Sequence, residues 1–321
     1  MISAALSKKV VLKTTLDLLP KSIFIARVLT YGYNADAFSF YGSGSVDRIQ
    51  QQAETIVAVL QADRSLEGCS QRPIIFICHG LGGILVKKAL AHSSTQTSKN
   101  VVHLHSIFIS TLAILFFGTP HNGASKSNWL LPLRGRDTPA HIYQNEILSV
   151  VKKDSESLQM ITAEFSPLMK QFHIFFFWEE VPTDLGNRTV FVVEESSAAP
   201  LMYNTERSSI PANHEGMVRF PSSSCSSYRT VIEALKRYCR GAPKVVAGRW
   251  RQTNDLLART RSHEASELVG TGFDVNNDNK PFYYQPKVHE KSRNKHFYPP
   301  QPVSSIFTGR EDIMKHRIYS E

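Results

Sequence analysis

One stretch of the chain combines a strand, a sharp turn and a helix in an order that suits catalysis. Residues Ile74–Cys78 form a continuous apolar run, typical of a strand buried on both faces, and apolar residues recur at helical spacing over Ile84–Leu90. Between them lie Gly80, Gly82 and Gly83, as expected where a strand and a helix pass too close for side chains. Such a turn could raise a nucleophile above a sheet. Its central residue, Gly80, has no side chain.

Cysteines give no sign of a metal centre or a disulfide framework. The chain has four, without paired spacing: Cys69, Cys78, Cys225 and Cys239. Cys78 lies inside the predicted strand rather than at the turn, which favours a buried, inert thiol over a nucleophile. We therefore predict a reducing compartment, no metal and no cofactor.

Composition excludes several classes of protein. Apolar residues make up 42% of the 321 residues, enough for a substantial core. The net charge of +9 would suit an anionic membrane surface or nucleic acid, but no basic block carries interleaved aromatic residues, so we predict no nucleic-acid partner. The longest apolar stretch, Ile107–Phe117, is far shorter than the roughly 20 residues of a membrane-spanning helix. The N-terminus lacks the order of a signal peptide, so we expect a soluble chain.

Strand and helix patterns alternate along the first two thirds of the chain. The predicted strands are Ile23–Tyr33, Ile74–Cys78, Leu112–Phe117, Phe172–Trp178 and Thr189–Val193. The predicted helices are Ser45–Leu60, a broken pair over Ile147–Leu168, and Tyr228–Cys239, which we expect Gly241 and Pro243 to end. This alternation is typical of an α/β protein with a mostly parallel sheet covered on both faces.

Five segments, in order, resemble one family. They are Arg27–Asn34, the glycine turn at 79–83, Ile114–Gly123, Phe177–Glu179 and Ala212–Gly216. The chain thereby resembles, over about Thr15–Cys239, the serine esterases related to the serine-active-site-containing protein. That set includes the lipase-like domains at the N-terminus of fungal NOD-like (STAND) receptors. Phe307–Asp312 further resembles the opening of an NB-ARC ATPase module in those receptors.

The resemblance implies an α/β-hydrolase fold and a set of site positions. The family's nucleophile serine falls on Gly80, its acid on Glu179 with Glu194 as the second candidate, and its histidine on His214. In the family these groups attack the ester, orient the imidazole and act as general base. The remaining elbow and pocket positions are His79, Leu81, Gly82, Gly83 and His121.

The chain departs from the family pattern in three ways. Gly80 has no hydroxyl, and losing the serine of such a triad lowers turnover by about 10⁶. An earlier strand ending in His-Gly-Leu-Gly-Gly, which supplies oxyanion donors, is expected to be missing, so the sheet should lack its first strand or strands. The ATPase expected after the tail is absent as well. The chain is therefore predicted to be a truncated or inner part of a longer protein.

A second placement of the motifs stays open. Residues 79–83, His-Gly-Leu-Gly-Gly, could themselves be the oxyanion loop, with the nucleophile further along the chain. That placement needs a downstream Gly-x-Ser-x-Gly, and the nearest segment, Gly123–Ser127, does not match it.

Together these observations predict a hydrolase-like domain over 1–243, a disordered linker over 244–305 and the start of a truncated NB-ARC-like module over 306–321. The leading hypothesis is a pseudoenzyme that binds a lipid, an acyl ester or a protein partner within a fungal NOD-like receptor. The alternatives are an active serine esterase or lipase and a truncated product that folds poorly. We expect a cytoplasmic protein, with peripheral association to mitochondrial or endoplasmic reticulum membranes as a further option.

Overall fold

The computed structural model describes residues 2–5, 18–32, 45–122, 158–184, 189–269 and 295–297, and every structural statement below concerns these ranges. The predictions for Gly123–Ser127, for the first part of Ile147–Leu168 and for the module at 306–321 lie outside them. Within them, no helix is long and apolar enough to cross a membrane.

A seven-stranded, all-parallel sheet forms the centre of the molecule, in the order β8-β5-β4-β3-β1-β2-β9. Its strands are β1 (Ile2–Ala5), β2 (Val28–Tyr31), β3 (Ile74–His79), β4 (Thr111–Phe117), β5 (His173–Glu179), β8 (Glu206–Ile210) and β9 (Lys295–Phe297). A separate antiparallel pair joins β6 (Thr183–Asp184) to β7 (Thr189–Val190).

Helices cover both faces of the sheet. They are α1 (18–22), α2 (Ser45–Leu66), α3 (Leu81–Thr95), α4 (Ser106–Ser110), α5 (158–165), α6 (Glu195–Ala198) and α7 (Ser226–Val269). Successive residues of β3 enter opposite cores, because side chains alternate along a strand. Phe76 belongs to the core that contains side chains of α2, α3 and α5, whereas Ile77 belongs to the core that contains side chains of α1 and α7. The predicted α/β fold class is confirmed: a parallel sheet is covered by helices on both faces and carries the β3–α3 elbow.

One detail of the sheet differs from the expectation. We expected an initial strand to be missing, but β1 lies between β2 and β3 and pairs in parallel with both. The place in the sheet next to the elbow strand is therefore filled. The predicted strand at 23–33 is also shorter, since residues 23–27 form a turn before β2.

The last helix is much longer than predicted. Gly241 and Pro243 do not end it, and α7 runs over 44 residues to Val269. The expectation of disorder is thus wrong for residues 244–269, while the division into domains at 243 stays a prediction. The predicted strand Thr189–Val193 is also corrected: only Thr189–Val190 is extended, and it pairs with β6 outside the main sheet.

Candidate active site

Gly80 forms a sharp bend between β3 and α3. Its backbone angles are φ 53° and ψ −129°, a conformation that side-chain-bearing residues rarely adopt. Its N–H donates to the carbonyl of Phe117 at 2.9 Å, and its own carbonyl accepts from Gly83 N–H at 3.1 Å. The bend is therefore fixed both to the neighbouring strand β4 and to the first turn of α3.

The first turn of α3 holds the other predicted elbow residues. Leu81 is half-buried, and Gly82 and Gly83 are buried. A Cβ on Gly83 would lie 2.2 Å from the Thr119 hydroxyl, so the absence of a side chain lets α3 lie against the loop after β4. That hydroxyl donates to the carbonyl of Gly80 at 3.0 Å. The loop after β4 thus holds the elbow from a second side.

His214 faces the elbow from the loop after β8. An ideal Cβ on Gly80 would lie 3.3 Å from His214 Nε2. The loop is held by an Asn213 side chain that accepts from Gly216 N–H at 2.9 Å. The structure therefore brings the predicted nucleophile position and the predicted histidine together, although they are far apart in the chain.

Glu179, at the end of β5, lies on the other side of His214. Its Oε1 is 3.6 Å from His214 Nδ1 and accepts from Val193 N–H at 2.8 Å. The 3.6 Å separation is an ion-pair distance but too long for a good hydrogen bond. Only 3% of Glu179 is exposed. The second candidate acid, Glu194, is exposed at the start of α6, so Glu179 is the acid that faces His214.

His79 positions the loop that carries His214. Its Nε2–H donates to the His214 carbonyl at 2.8 Å, and the two rings lie 4.5 Å apart. Burial, together with the smaller effect of the neighbouring His214, lowers the pKa of His79 to about 3. His79 is consequently a neutral hydrogen-bond donor rather than a base at neutral pH.

Gly118, which the sequence analysis did not single out, touches the same ring. Its φ is +54°, and a Cβ there would lie 2.8 Å from both His214 Nδ1 and Cε1. The imidazole therefore lies between two glycines, Gly80 and Gly118. A signal for this was present in the sequence, because Gly118 opens the Gly-Thr-Pro-His motif within Ile114–Gly123.

His121 does not join this group. Its ring packs edge-on against Phe116 and Phe176, and burial lowers its pKa well below the usual value. Beside it lies Lys87, whose Nζ donates to the Thr162 hydroxyl at 2.9 Å, and that hydroxyl donates to the His121 carbonyl at 2.8 Å. This second cluster ties α3 to α5 and was missed because Lys87 looks like an ordinary surface residue in the sequence.

The first group of residues places a carboxylate, an imidazole and the bend at Gly80 next to one another. His214 has a carboxylate at Nδ1 and an elbow at Nε2, but no hydroxyl among the described residues hydrogen-bonds to its ring. Cys78 is fully buried in β3, and burial raises the pKa of its thiol. In the described part of the chain no cluster of three or more His, Cys, Asp or Glu residues could hold a metal ion.

Comparisons with known proteins find similarity to one named protein, at low identity and over a short part of its length. The chain is 27% identical to human protein SERAC1 over 122 residues, which is 37% of this chain and 17% of that protein. It is 29% identical to the Danio rerio SERAC1 over 136 residues, 42% of this chain and 19% of that protein. The matched region thus spans less than a fifth of these relatives. No family model matches the chain.

Solved structures overlap with the chain only loosely. The lipase BlEst2 of Bacillus licheniformis is 14% identical, with a TM-score of 0.39 over 65% of this chain and 90% of that one. A hydrolase of Pseudomonas aeruginosa PA01 is 13% identical, with a TM-score of 0.36 over 74% of this chain and 89% of that one. The order and direction of the strands, rather than these superpositions, define the fold.

Proposed function

We propose that this chain is a lipase- or esterase-like domain that binds its ligand without forming an acyl-enzyme. The observation that carries the proposal is Gly80, which occupies the sharp bend between β3 and α3 with a positive φ but has no hydroxyl. The other members of a triad cannot replace the serine, whose loss costs about 10⁶ in turnover. Binding is the function that such a site retains.

The class of ligand and the kind of protein to which this domain belongs are proposed from the same residues. A lipid or acyl ester suits an elbow that still presents His214, and a protein partner suits a module of a larger receptor. The five ordered motifs support membership in a fungal NOD-like receptor type of protein. The genomic sequence tests this directly: an in-frame P-loop downstream would support it, and stop codons on both sides would contradict it.

The catalytic test compares the parent with Gly80→Ser. Because a Cβ at this position lies 3.3 Å from His214 Nε2, a serine there would bring its hydroxyl to the imidazole after the ring moves by a few tenths of an ångström. We expect the parent neither to hydrolyse p-nitrophenyl acetate nor to react with a fluorophosphonate probe. We expect Gly80→Ser to become labelled at residue 80.

Two controls make this comparison specific. Gly248→Ser adds a serine in α7 where nothing lies within 4 Å, so it should remain unlabelled. His214→Ala in the Gly80→Ser background should abolish the labelling, because the imidazole is the base. Parent activity that is lost in His214→Ala would overturn the proposal.

An active esterase is the second candidate, and the retained Glu179–His214 pair favours it. It would require a serine outside the described ranges to reach His214. Mass spectrometry of the labelled parent would identify that serine, whereas an unlabelled parent excludes this candidate.

A further inference from the structure

The space where a side chain of residue 80 would begin lies beside the imidazole of His214. A Cβ on Gly80 would meet His214 Nε2 at 3.3 Å and Cε1 at 3.9 Å. Apart from the two chain neighbours of Gly80, no other described atom lies within 4 Å of that position. A ligand atom can therefore occupy the space where a side chain of residue 80 would begin and contact Nε2 directly.

The protonation of His214 restricts which ligand fits. Nδ1 lies 3.6 Å from the carboxylate Oε1 of Glu179, and this negative charge favours the tautomer with the proton on Nδ1, which presents a lone pair at Nε2. In a serine hydrolase the hydroxyl donates to this lone pair. A ligand that replaces the hydroxyl must therefore donate a proton to Nε2. An ester has no proton to donate, whereas a carboxylic acid has one.

The charges around His214 favour an acid over an alcohol. When an acid passes its proton to Nε2, the resulting imidazolium lies between the ligand carboxylate and Glu179, which is buried. His79, a neutral donor from β3, also lies against the ring, and Glu215, the next residue in the chain, forms an exposed pair with Arg219 at 3.6 Å. Neither adds an uncompensated negative charge to the position beside Nε2.

We infer that the vacant nucleophile position binds carboxylic acids in preference to the corresponding esters and amides. One ligand oxygen takes the place of the serine oxygen and shares its proton with His214 Nε2. The only bonds that change are those of the proton: the acid O–H bond breaks and an Nε2–H bond forms, or Nε2 takes the proton from solvent when the acid is already ionised. This inference rests on the proposed function, because it assumes that no acyl-enzyme forms.

The test is isothermal titration calorimetry of the full chain with acetate, butyrate and octanoate, and with octanamide as the isosteric amide. Where the free acid is ionised and the free imidazole neutral, binding takes up one proton. The heat should therefore depend on the ionisation enthalpy of the buffer, and Kd should rise about tenfold per pH unit. Octanamide should bind at least about tenfold more weakly than octanoate, since it cannot form the charged pair. The three chain lengths distinguish a lipid-derived acid from a small soluble one.

His214→Gln keeps a polar side chain but cannot take the proton, so proton uptake and the preference for the acid should both disappear. The matched control is His103→Gln, at an exposed histidine away from the site, which should behave like the parent. Equal affinity for octanoate and octanamide, failure of all three acids to bind, or proton uptake that persists in His214→Gln would each overturn the inference. If the parent is not labelled by fluorophosphonate, these results overturn the inference alone and leave the proposed function standing. If the parent is labelled, the proposed function itself is overturned.

Discussion

His214 can approach the elbow because the two residues that flank its ring are glycines. Gly80 and Gly118 both have a positive φ, and a side chain on either would enter the space around the imidazole. At Gly118 a Cβ would come within 2.8 Å of the ring and 3.0 Å of Met217 Sδ. The position of the candidate base is therefore set by the absence of side chains as much as by the hydrogen bond from His79.

Gly118→Ala should destabilise the protein and displace His214. The substitution combines a strained backbone conformation, which costs about 1–3 kcal/mol, with a contact too short for a real Cβ. Urea denaturation measures the loss of stability. The change in His214 is measured by its imidazole NMR signals.

Gly248→Ala is the matched control. This glycine lies inside α7, and nothing lies within 4 Å of its Cβ position, so alanine should stabilise the helix by about 0.5–1 kcal/mol. A Gly118→Ala protein as stable as the parent, with unchanged His214 signals, would show that the ring is not confined at this position.

At the scale of elements, α7 continues through a proline because its second half is held by the body of the protein. Pro243 removes one helical hydrogen bond and would ordinarily end or kink a helix. Beyond it, Arg249 donates to the carbonyls of Thr111 and Gln171, and Trp250 Nε1 donates to the Ser110 hydroxyl at 3.1 Å. These bonds join α7 to residues at the amino ends of β4 and β5 and offset the local preference.

Two adjacent valines in α7 test this account. Val246 is fully buried, whereas Val245 is 43% exposed. Val246→Ala should lower the free energy of unfolding by about 1–3 kcal/mol through lost burial and an incompletely filled cavity. Val245→Ala should change it by less than about 0.5 kcal/mol. Equal effects in urea denaturation would mean that this part of α7 does not pack on the sheet.

At the scale of the whole molecule, burial lowers the pKa of basic groups, and this makes the stability of the protein depend on pH. Burial lowers the pKa of Lys87 from 10.5 to about 7 and that of His79 from 6.5 to about 3. Between pH 7 and 10.5 the unfolded chain binds a proton at Lys87 that the folded chain does not, so stability should rise with pH there. Between pH 6.5 and 3 the same reasoning for His79 predicts that stability falls as the solution is acidified.

Lys87→Met should remove the rise of stability with pH between pH 7 and 10.5. Methionine has a similar shape and no charge, and the Thr162 hydroxyl keeps its bond to the His121 carbonyl. We expect the urea midpoint of the parent to increase from pH 7 to 9 and that of Lys87→Met to change much less. The exposed Lys21→Met serves as the control and should retain the slope of the parent. Parallel slopes in the parent and Lys87→Met would contradict the assignment.

The sequence by itself determined the features that depend only on residues close to one another along the chain. The buried strands β3, β4 and β5 follow from continuous apolar runs, and the elbow follows from glycines placed between a strand and a helix. The missing hydroxyl at Gly80 is likewise a local fact. The family resemblance placed Glu179 and His214 as candidate partners, and their catalytic roles stay a prediction.

Only the tertiary structure decided which distant residues meet. Glu179 faces His214 because β5 and the loop after β8 end at the same edge of a parallel sheet, whereas Glu194 starts α6 and points to solvent. The burial of Lys87 and the contact of Gly118 with His214 also depend on residues that are far apart in the chain, so no local sequence pattern predicts them. The extension of α7 past Pro243 has the same cause, since packing against the sheet outweighs a helix-ending signal worth only a few kcal/mol.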